Sequence, residues 1–147
     1  AALKQAAASP RLVAPARRLG VARDLARAAE AGDDFATAEA ALRDALAVLA
    51  ERKDDLLSAG PFASPAEYHR EVGTVHEHLG KALAARKKLP DAVAAFADAA
   101  RTFADPARGN DPLAAARVDW NLSGVLVATG DHAAALERVD AFLKRKP

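Results

Sequence analysis

Residues 78–99 constrain the fold more than any other stretch, because they contain two helical patterns separated by a break. Their sequence is HLGKALAARKKLPDAVAAFADA. Leu79 and Leu83 lie on one face of a first predicted helix, the segment 87–90 breaks it, and a second apolar stripe follows at helical spacing: Ala92, Val93, Phe96 and Ala99. Gly80 carries no side chain, so we expect two antiparallel helices to cross there. The stretch is therefore a two-helix unit.

The same pattern occurs three times along the chain. In each copy a leucine of the first helix is followed thirteen residues later by an alanine of the second: 25 to 38, 79 to 92 and 122 to 135. Alanine-rich helices would not keep this step by chance. The spacing indicates three helix-turn-helix units.

These units resemble the tetratricopeptide repeat (TPR), in which a Leu-Gly pair and a bulky residue are followed by a small residue and then a Phe. Leu79–Gly80, Leu83, Ala92 and Phe96 match that pattern. The chain departs from it at the tryptophan position of the motif, which holds Ala22, His76 and Asp119. The resemblance implies an all-α fold of antiparallel hairpins, stacked as a short right-handed solenoid of about six helices.

The distances between copies suggest a long-helix variant of this family. The copies start 54 and 43 residues apart, against about 34 for the standard repeat. Most of the extra length falls between Ala45 and Leu79, at the end of one helix and the start of the next. We therefore expect a protruding helical hairpin with its tip at residues 60–62.

Caps, breaks and apolar stripes predict six helices. The first runs from Pro15 to Ala31, and the others cover about 35–57, 65–87, 90–103, 112–129 and 132–146. They pair into three hairpins, at about 15–57, 65–103 and 111–146, after a lead-in of residues 1–14. In the last helix an apolar stripe is predicted to face inward: Leu136, Val139, Phe142 and Leu143.

Composition supports the all-α prediction and excludes several kinds of partner and site. Only 5% of residues are aromatic although 51% are hydrophobic, and a chain rich in alanine favours close-packed helices over sheets. The 21 basic and 20 acidic residues give a net charge of +1, so no nucleic-acid partner is expected. The absence of cysteine excludes disulfides and thiolate metal sites.

The location of the protein follows less directly from the sequence. No apolar run approaches the roughly 20 residues needed to span a bilayer, so we expect a soluble protein without membrane insertion. The chain begins at Ala1 and contains no Met, which is typical of a processed form or of a fragment. We expect a cytoplasmic protein, with export as the alternative if Ala1 follows a cleaved leader.

Little in the sequence points to catalysis. His69 and His76 lie two turns apart on one predicted helix, whereas a zinc helix places two histidines four residues apart with an acid between them. We therefore interpret His69, His76 and His78 as surface or partner-facing residues. A Gly-rich phosphate loop and a nucleophile elbow are both missing. We expect no enzymatic activity, no cofactor and no metal.

The resemblance implies that the first helix of each hairpin lines a concave, ligand-binding face. The residues at such positions are Arg23 and Arg27 in the first copy, Glu77, His78 and Lys81 in the second, and Arg117, Trp120 and Asn121 in the third. This set is net basic and contains one aromatic residue. It suits a peptide or acidic segment of another protein, and some TPR proteins grip a C-terminal carboxylate with comparable residues.

The function predicted from the sequence is therefore protein–protein interaction, with the partner segment bound on the concave face. For Trp120, packing between repeats is an equally good interpretation. The alternative function is a regulatory or oligomerisation domain of a larger protein, for example a signalling or transcription-related one, in which the helices contact neighbouring domains or associate with copies of themselves.

Overall fold

The computed structural model describes residues 14–58 and 60–145, and within these ranges it contains seven α-helices and no strand. The helices are α1 (Pro15–Ala31), α2 (Phe35–Glu51), α3 (Lys53–Ser58), α4 (Pro65–Ala85), α5 (Leu89–Ala104), α6 (Pro112–Thr129) and α7 (His132–Arg145). The all-α prediction is confirmed for these residues. Apart from Ala14, the predicted lead-in lies outside them.

Helix ends follow the predicted caps and breaks to within about two residues, with one exception. The helix expected over 35–57 is interrupted at Arg52, whose φ of −118° and ψ of 30° are not helical. The Arg52 Nε donates to Asp55 Oδ2 at 2.9 Å. The interruption also places Asp54 and Asp55 in the first turn of α3, where negative charge is favoured by the helix dipole.

The chain divides into two compact units between Pro65 and Ala66. In the first unit, α1 and α2 pack along their lengths after a three-residue turn. Asp34 caps α2 by accepting a hydrogen bond from the Thr37 N–H at 3.1 Å, and Arg18 of α1 forms an ion pair with Asp44 of α2. The predicted protruding hairpin spans the division between the units and stays a prediction.

In the second unit, α4 packs against α5 through two glycines. A Cβ on Gly80 would lie 2.8 Å from Cδ1 of Phe96, and one on Gly73 would lie 2.9 Å from Cε1 of Phe103. The two glycines are seven residues apart on α4, and the two phenylalanines are seven residues apart on α5, which is about two turns in each helix. The close approach expected at Gly80 is therefore present, and the two phenylalanine rings occupy the space that the glycines leave.

The core of the second unit lies where α5 packs on α6, with one contribution from α7. Two rings and a set of small or branched residues are buried together: Phe96, Ala99, Ala100 and Phe103 of α5, Ala114, Ala115, Val118, Leu122 and Leu126 of α6, and Ala135 of α7. Alanine at so many of these positions lets the helix axes approach closely. Asp111 caps α6 by accepting from the Ala114 N–H at 3.0 Å.

The turn between α6 and α7 depends on a glycine. Gly130 adopts φ +85°, a left-handed conformation that glycine accepts without strain. None of the helices in the described ranges is long and apolar enough to cross a membrane.

Candidate functional site

The predicted concave-face residues lie in both units. Arg23 and Arg27 are exposed on α1 in the first unit, one turn apart, and Arg27 lies 3.9 Å from the Asp24 carboxylate. The other six residues belong to α4 and α6 of the second unit. The site is therefore described here from the second unit, in which named contacts connect the two helices.

Three of the predicted residues form one ionic cluster, which we call the Glu77 cluster: Glu77, Lys81 and Arg117. Arg117 binds the Glu77 carboxylate with two hydrogen bonds, Nε to Oε1 at 2.9 Å and Nη2 to Oε2 at 2.8 Å. Lys81 Nζ lies 3.4 Å from Oε1 of the same carboxylate. The Glu77 side chain is 3% exposed and that of Arg117 is 56% exposed. A buried acid thus fixes an arginine whose outer side remains open to solvent.

The electrostatics of the cluster favour the ionised form of both partners. Burial by itself raises the pKa of Glu77, but the hydrogen bond from Arg117 and the charges of Lys81 and Arg117 outweigh it, and the pKa lies below its usual value of 4.5. The hydrogen bond to Glu77 raises the pKa of Arg117. At neutral pH the cluster holds one negative and two positive charges.

The depressed pKa of Glu77 predicts a stability loss in acid. The unfolded chain takes up a proton at higher pH than the folded chain, so the contribution of Glu77 is complete above about pH 4.5 and is lost as the pH falls through its folded pKa. We expect Glu77→Gln to lower the free energy of unfolding by about 2 kcal/mol at pH 7. In urea titrations at successive pH values, this deficit should shrink below pH 4.5.

A matched control is Glu51→Gln, which changes an exposed glutamate at the end of α2. This substitution should leave the free energy of unfolding nearly unchanged at pH 7 and at pH 3. A deficit for Glu77→Gln that is equally large at pH 7 and at pH 3 would show that the ionised carboxylate does not stabilise the fold.

Trp120 lies on α6 three residues after Arg117 and is 57% exposed. Its ring packs against Phe142 of α7, with the centroids 5.4 Å apart and the planes tilted by 48°. Trp120 is therefore both packed and exposed, because one part of the indole contacts α7 and the rest faces solvent. Asn121, the next residue on α6, and His78 on α4 are half-buried.

A surface groove between α6 and α7 extends from Trp120, and we call it the α6/α7 groove. It has a volume of about 510 Å³. Small residues and larger apolar residues line it: Trp120, Ser123, Gly124, Val127, His132, Ala135, Leu136 and Val139. The sequence interpretation did not identify this groove.

The inward stripe predicted for the last helix is wrong in part. Leu136 and Leu143 are exposed, Val139 and Phe142 are half-buried, and Ala135 is the buried residue of α7. The physical reason is that α7 packs on α6 through a small residue, which leaves its leucines outside the core. Helical periodicity identifies an apolar face but not what that face contacts.

A buried carboxylate on α6 was also missed as a structural site. Asp119 is completely buried, and Arg145 of α7 forms an ion pair with its Oδ2. Arg138 Nη1 lies 3.5 Å from Oδ1. From the sequence, Asp119 could be identified only as the residue at the tryptophan position of the repeat. The structure shows that it connects α6 to both the middle and the end of α7.

Of the three histidines interpreted as surface or partner-facing residues, His69 and His78 are partly exposed, whereas His76 has a buried ring nitrogen. His76 is half-buried and its buried Nδ1 has no hydrogen-bond partner within the described part of the chain. Burial lowers the pKa of His76, and the Asp98 carboxylate only partly opposes this effect. The ring of His69 contacts Tyr68 edge-on, with the centroids 5.1 Å apart.

No group of three or more His, Cys, Asp or Glu residues in the described ranges is placed to hold a metal ion. Comparisons of the chain with protein-family models, with curated proteins and with solved structures find no match.

Proposed function

We propose that the chain is a protein-interaction module built from TPR-like helical hairpins, stacked as a short solenoid, and that it binds a segment of a partner protein without catalysing a reaction. The three sequence copies support this proposal, as do the paired helices joined by short turns within each unit. In the first unit, Arg23 and Arg27 are the proposed partner-binding residues.

The observation that carries the proposal is the Glu77 cluster beside an exposed tryptophan. Arg117, Trp120 and Asn121 lie at i, i+3 and i+4 on α6 and therefore share one side of the helix. A guanidinium has five N–H donors, and Glu77 occupies two of those on Arg117. The remaining donors belong to a side chain that is half exposed, and its position is fixed by a buried acid.

This arrangement suits an acidic group next to an apolar one. The cluster carries one positive charge in excess of its carboxylate, so a partner carboxylate would complete the pairing of Arg117 and Lys81. An apolar side chain of the same segment would then lie on the exposed part of Trp120. We therefore propose an acidic peptide, or a C-terminal carboxylate with a neighbouring apolar residue, as the ligand.

The test uses Trp120, which is the only tryptophan of the chain, as the reporter. Acidic peptides carrying one leucine or phenylalanine are titrated as free acids and as C-terminal amides, with the protein dilute enough to exclude self-association. We expect a saturable fluorescence change that weakens as the salt concentration rises. If the terminal carboxylate is the bound group, amidation should reduce the affinity about tenfold or more.

Two variants locate the binding. Lys81→Gln should weaken binding about threefold to tenfold, because Lys81 is half exposed and makes only one salt bridge to Glu77. Lys144→Gln, at the end of α7, is the matched charge control and should leave the affinity unchanged. No fluorescence change with any peptide, or an equal effect of the two variants, would refute the proposed site.

A further inference from the structure

The second unit exposes a row of large apolar residues, which we call the α6/α7 face, and the proposed peptide site uses only Trp120 of this row. The α6/α7 face consists of Leu113, Trp120 and Val127 on α6 with Leu136 and Leu143 on α7. These side chains are 60%, 57%, 53%, 67% and 57% exposed, respectively. Within each helix they are seven residues apart, so they form a straight stripe along it. The α6/α7 groove lies between the two stripes.

The size of this face points to an interface. Five large side chains that are more than half exposed leave on the order of 500 Å² of apolar surface in water, near the upper end for a monomer. Each partner in a standard protein interface buries about 800 Å². The small residues of the groove and the polar residues at its edges would supply the rest of the buried area.

The charges beside the stripes favour one partner in particular. Arg117 lies on α6 next to Leu113 and Trp120, on the side away from α7. Glu137, Asp140 and Lys144 are exposed on α7, on the side away from α6, and these two acids and one lysine leave that edge net negative. The face therefore has a basic edge along one helix and an acidic edge along the other. A surface with this asymmetry is complementary to itself.

We propose that the α6/α7 face is the interface of a symmetric dimer of this chain, and that dimerisation and peptide binding exclude each other because both use Arg117 and Trp120. A two-fold axis through the α6/α7 groove places α6 of one protomer over α7 of its partner, and the reverse. The apolar stripes then pack against each other at seven-residue spacing, as in a four-helix arrangement. Arg117 of each protomer then lies on the same edge of the interface as Asp140 and Lys144 of its partner, where Asp140 supplies the opposite charge.

The first measurement is the mass of the full 147-residue chain by light scattering over a range of concentrations, with Trp120 fluorescence followed in parallel. We expect a species of twice the 15.3 kDa chain mass as the concentration rises. The emission should shift to the blue together with the mass, because the interface buries the exposed indole. A chain that stays monomeric up to its solubility limit would overturn the proposal.

Two variants test whether this face forms the dimer. Leu136→Glu and Val127→Lys each put a charge on the stripe, at positions where the sign suits the helix dipole. Both residues are more than half exposed in one chain, so the helical circular dichroism should be retained. A symmetric interface carries each substitution twice, and we expect dimerisation to weaken about 100-fold or more.

The controls separate this interface from any other mode of association. Ala94→Glu puts the same negative charge as Leu136→Glu on an exposed position of α5. This substitution should leave the dimerisation constant unchanged. Asp140→Lys reverses the acidic edge and should weaken the dimer about tenfold, with the loss reduced at high salt. A dimer that survives both Leu136→Glu and Val127→Lys would refute the interface.

Discussion

Replacing Arg145 with alanine is expected to lower the free energy of unfolding by about 3 kcal/mol, although Arg145 lies at the very end of the last described helix. The reason is Asp119, whose carboxylate is completely buried on α6 and forms an ion pair with Arg145. Without that guanidinium, Arg138 at 3.5 Å is the one cation in residues 14–58 and 60–145 that still compensates the buried charge. Urea unfolding followed by the fluorescence of the adjacent Trp120 measures the loss.

A double-mutant cycle distinguishes this ion pair from simple loss of packing. Asp119→Asn removes the buried charge together with its need for a cation, so Arg145→Ala should cost less in that background than in the wild type, by about 1–3 kcal/mol. Glu51→Gln, at an exposed position of α2, serves as the control and should change stability by about 0.5 kcal/mol or less. Strict additivity of Asp119→Asn and Arg145→Ala would contradict the ion pair.

The second prediction concerns the crossing of α4 and α5. Gly80→Ala should destabilise the chain by about 1–3 kcal/mol, although alanine is the better helix former. The added Cβ would lie 2.8 Å from Cδ1 and 2.9 Å from Cγ of Phe96. Cγ is the inner end of a ring that is itself buried, so the ring cannot turn aside, and the helices must separate. Thermal and urea unfolding both report this change.

Gly20→Ala is the matched control for that substitution. Gly20 lies in the interior of α1, and a Cβ there would meet nothing within 4 Å. We therefore expect Gly20→Ala to stabilise the chain by about 0.5–1 kcal/mol. In addition, Phe96→Leu should cost less in the Gly80→Ala background than in the wild type, because the smaller side chain relieves the contact. A stabilising Gly80→Ala would show that α4 and α5 do not pack this closely.

Local sequence signals were sufficient for most of the helix boundaries. Asp34 and Asp111 accept hydrogen bonds from the backbone of the helices that follow them, and Gly130 takes the left-handed conformation that ends α6. These interactions involve residues three or four positions apart, so a single sequence contains both partners. The break at Arg52 was missed because the surrounding residues keep helical propensity, and only the backbone angles reveal it.

The candidate site was predictable in part. The choice of Glu77, Lys81 and Arg117 came from their positions in the repeat, and the structure brings these three residues together. Their chemistry was not predictable, because Glu77 and Arg117 are 40 residues apart in the chain. No local pattern indicates that one is buried and that the other is bound to it through two hydrogen bonds.

The sequence by itself determined the helical class of this protein, most of the places where its helices begin and end, and the position of Gly80, one of the two glycines at which α4 and α5 approach. Those properties depend on backbone propensity, capping and helical periodicity, which act over a few residues. Only the tertiary structure decided which apolar stripe is buried and which is exposed. Leu122 and Leu136 both belong to apolar stripes at helical spacing, but Leu122 packs in the core while Leu136 faces solvent. The difference arises because burial depends on which helix lies opposite.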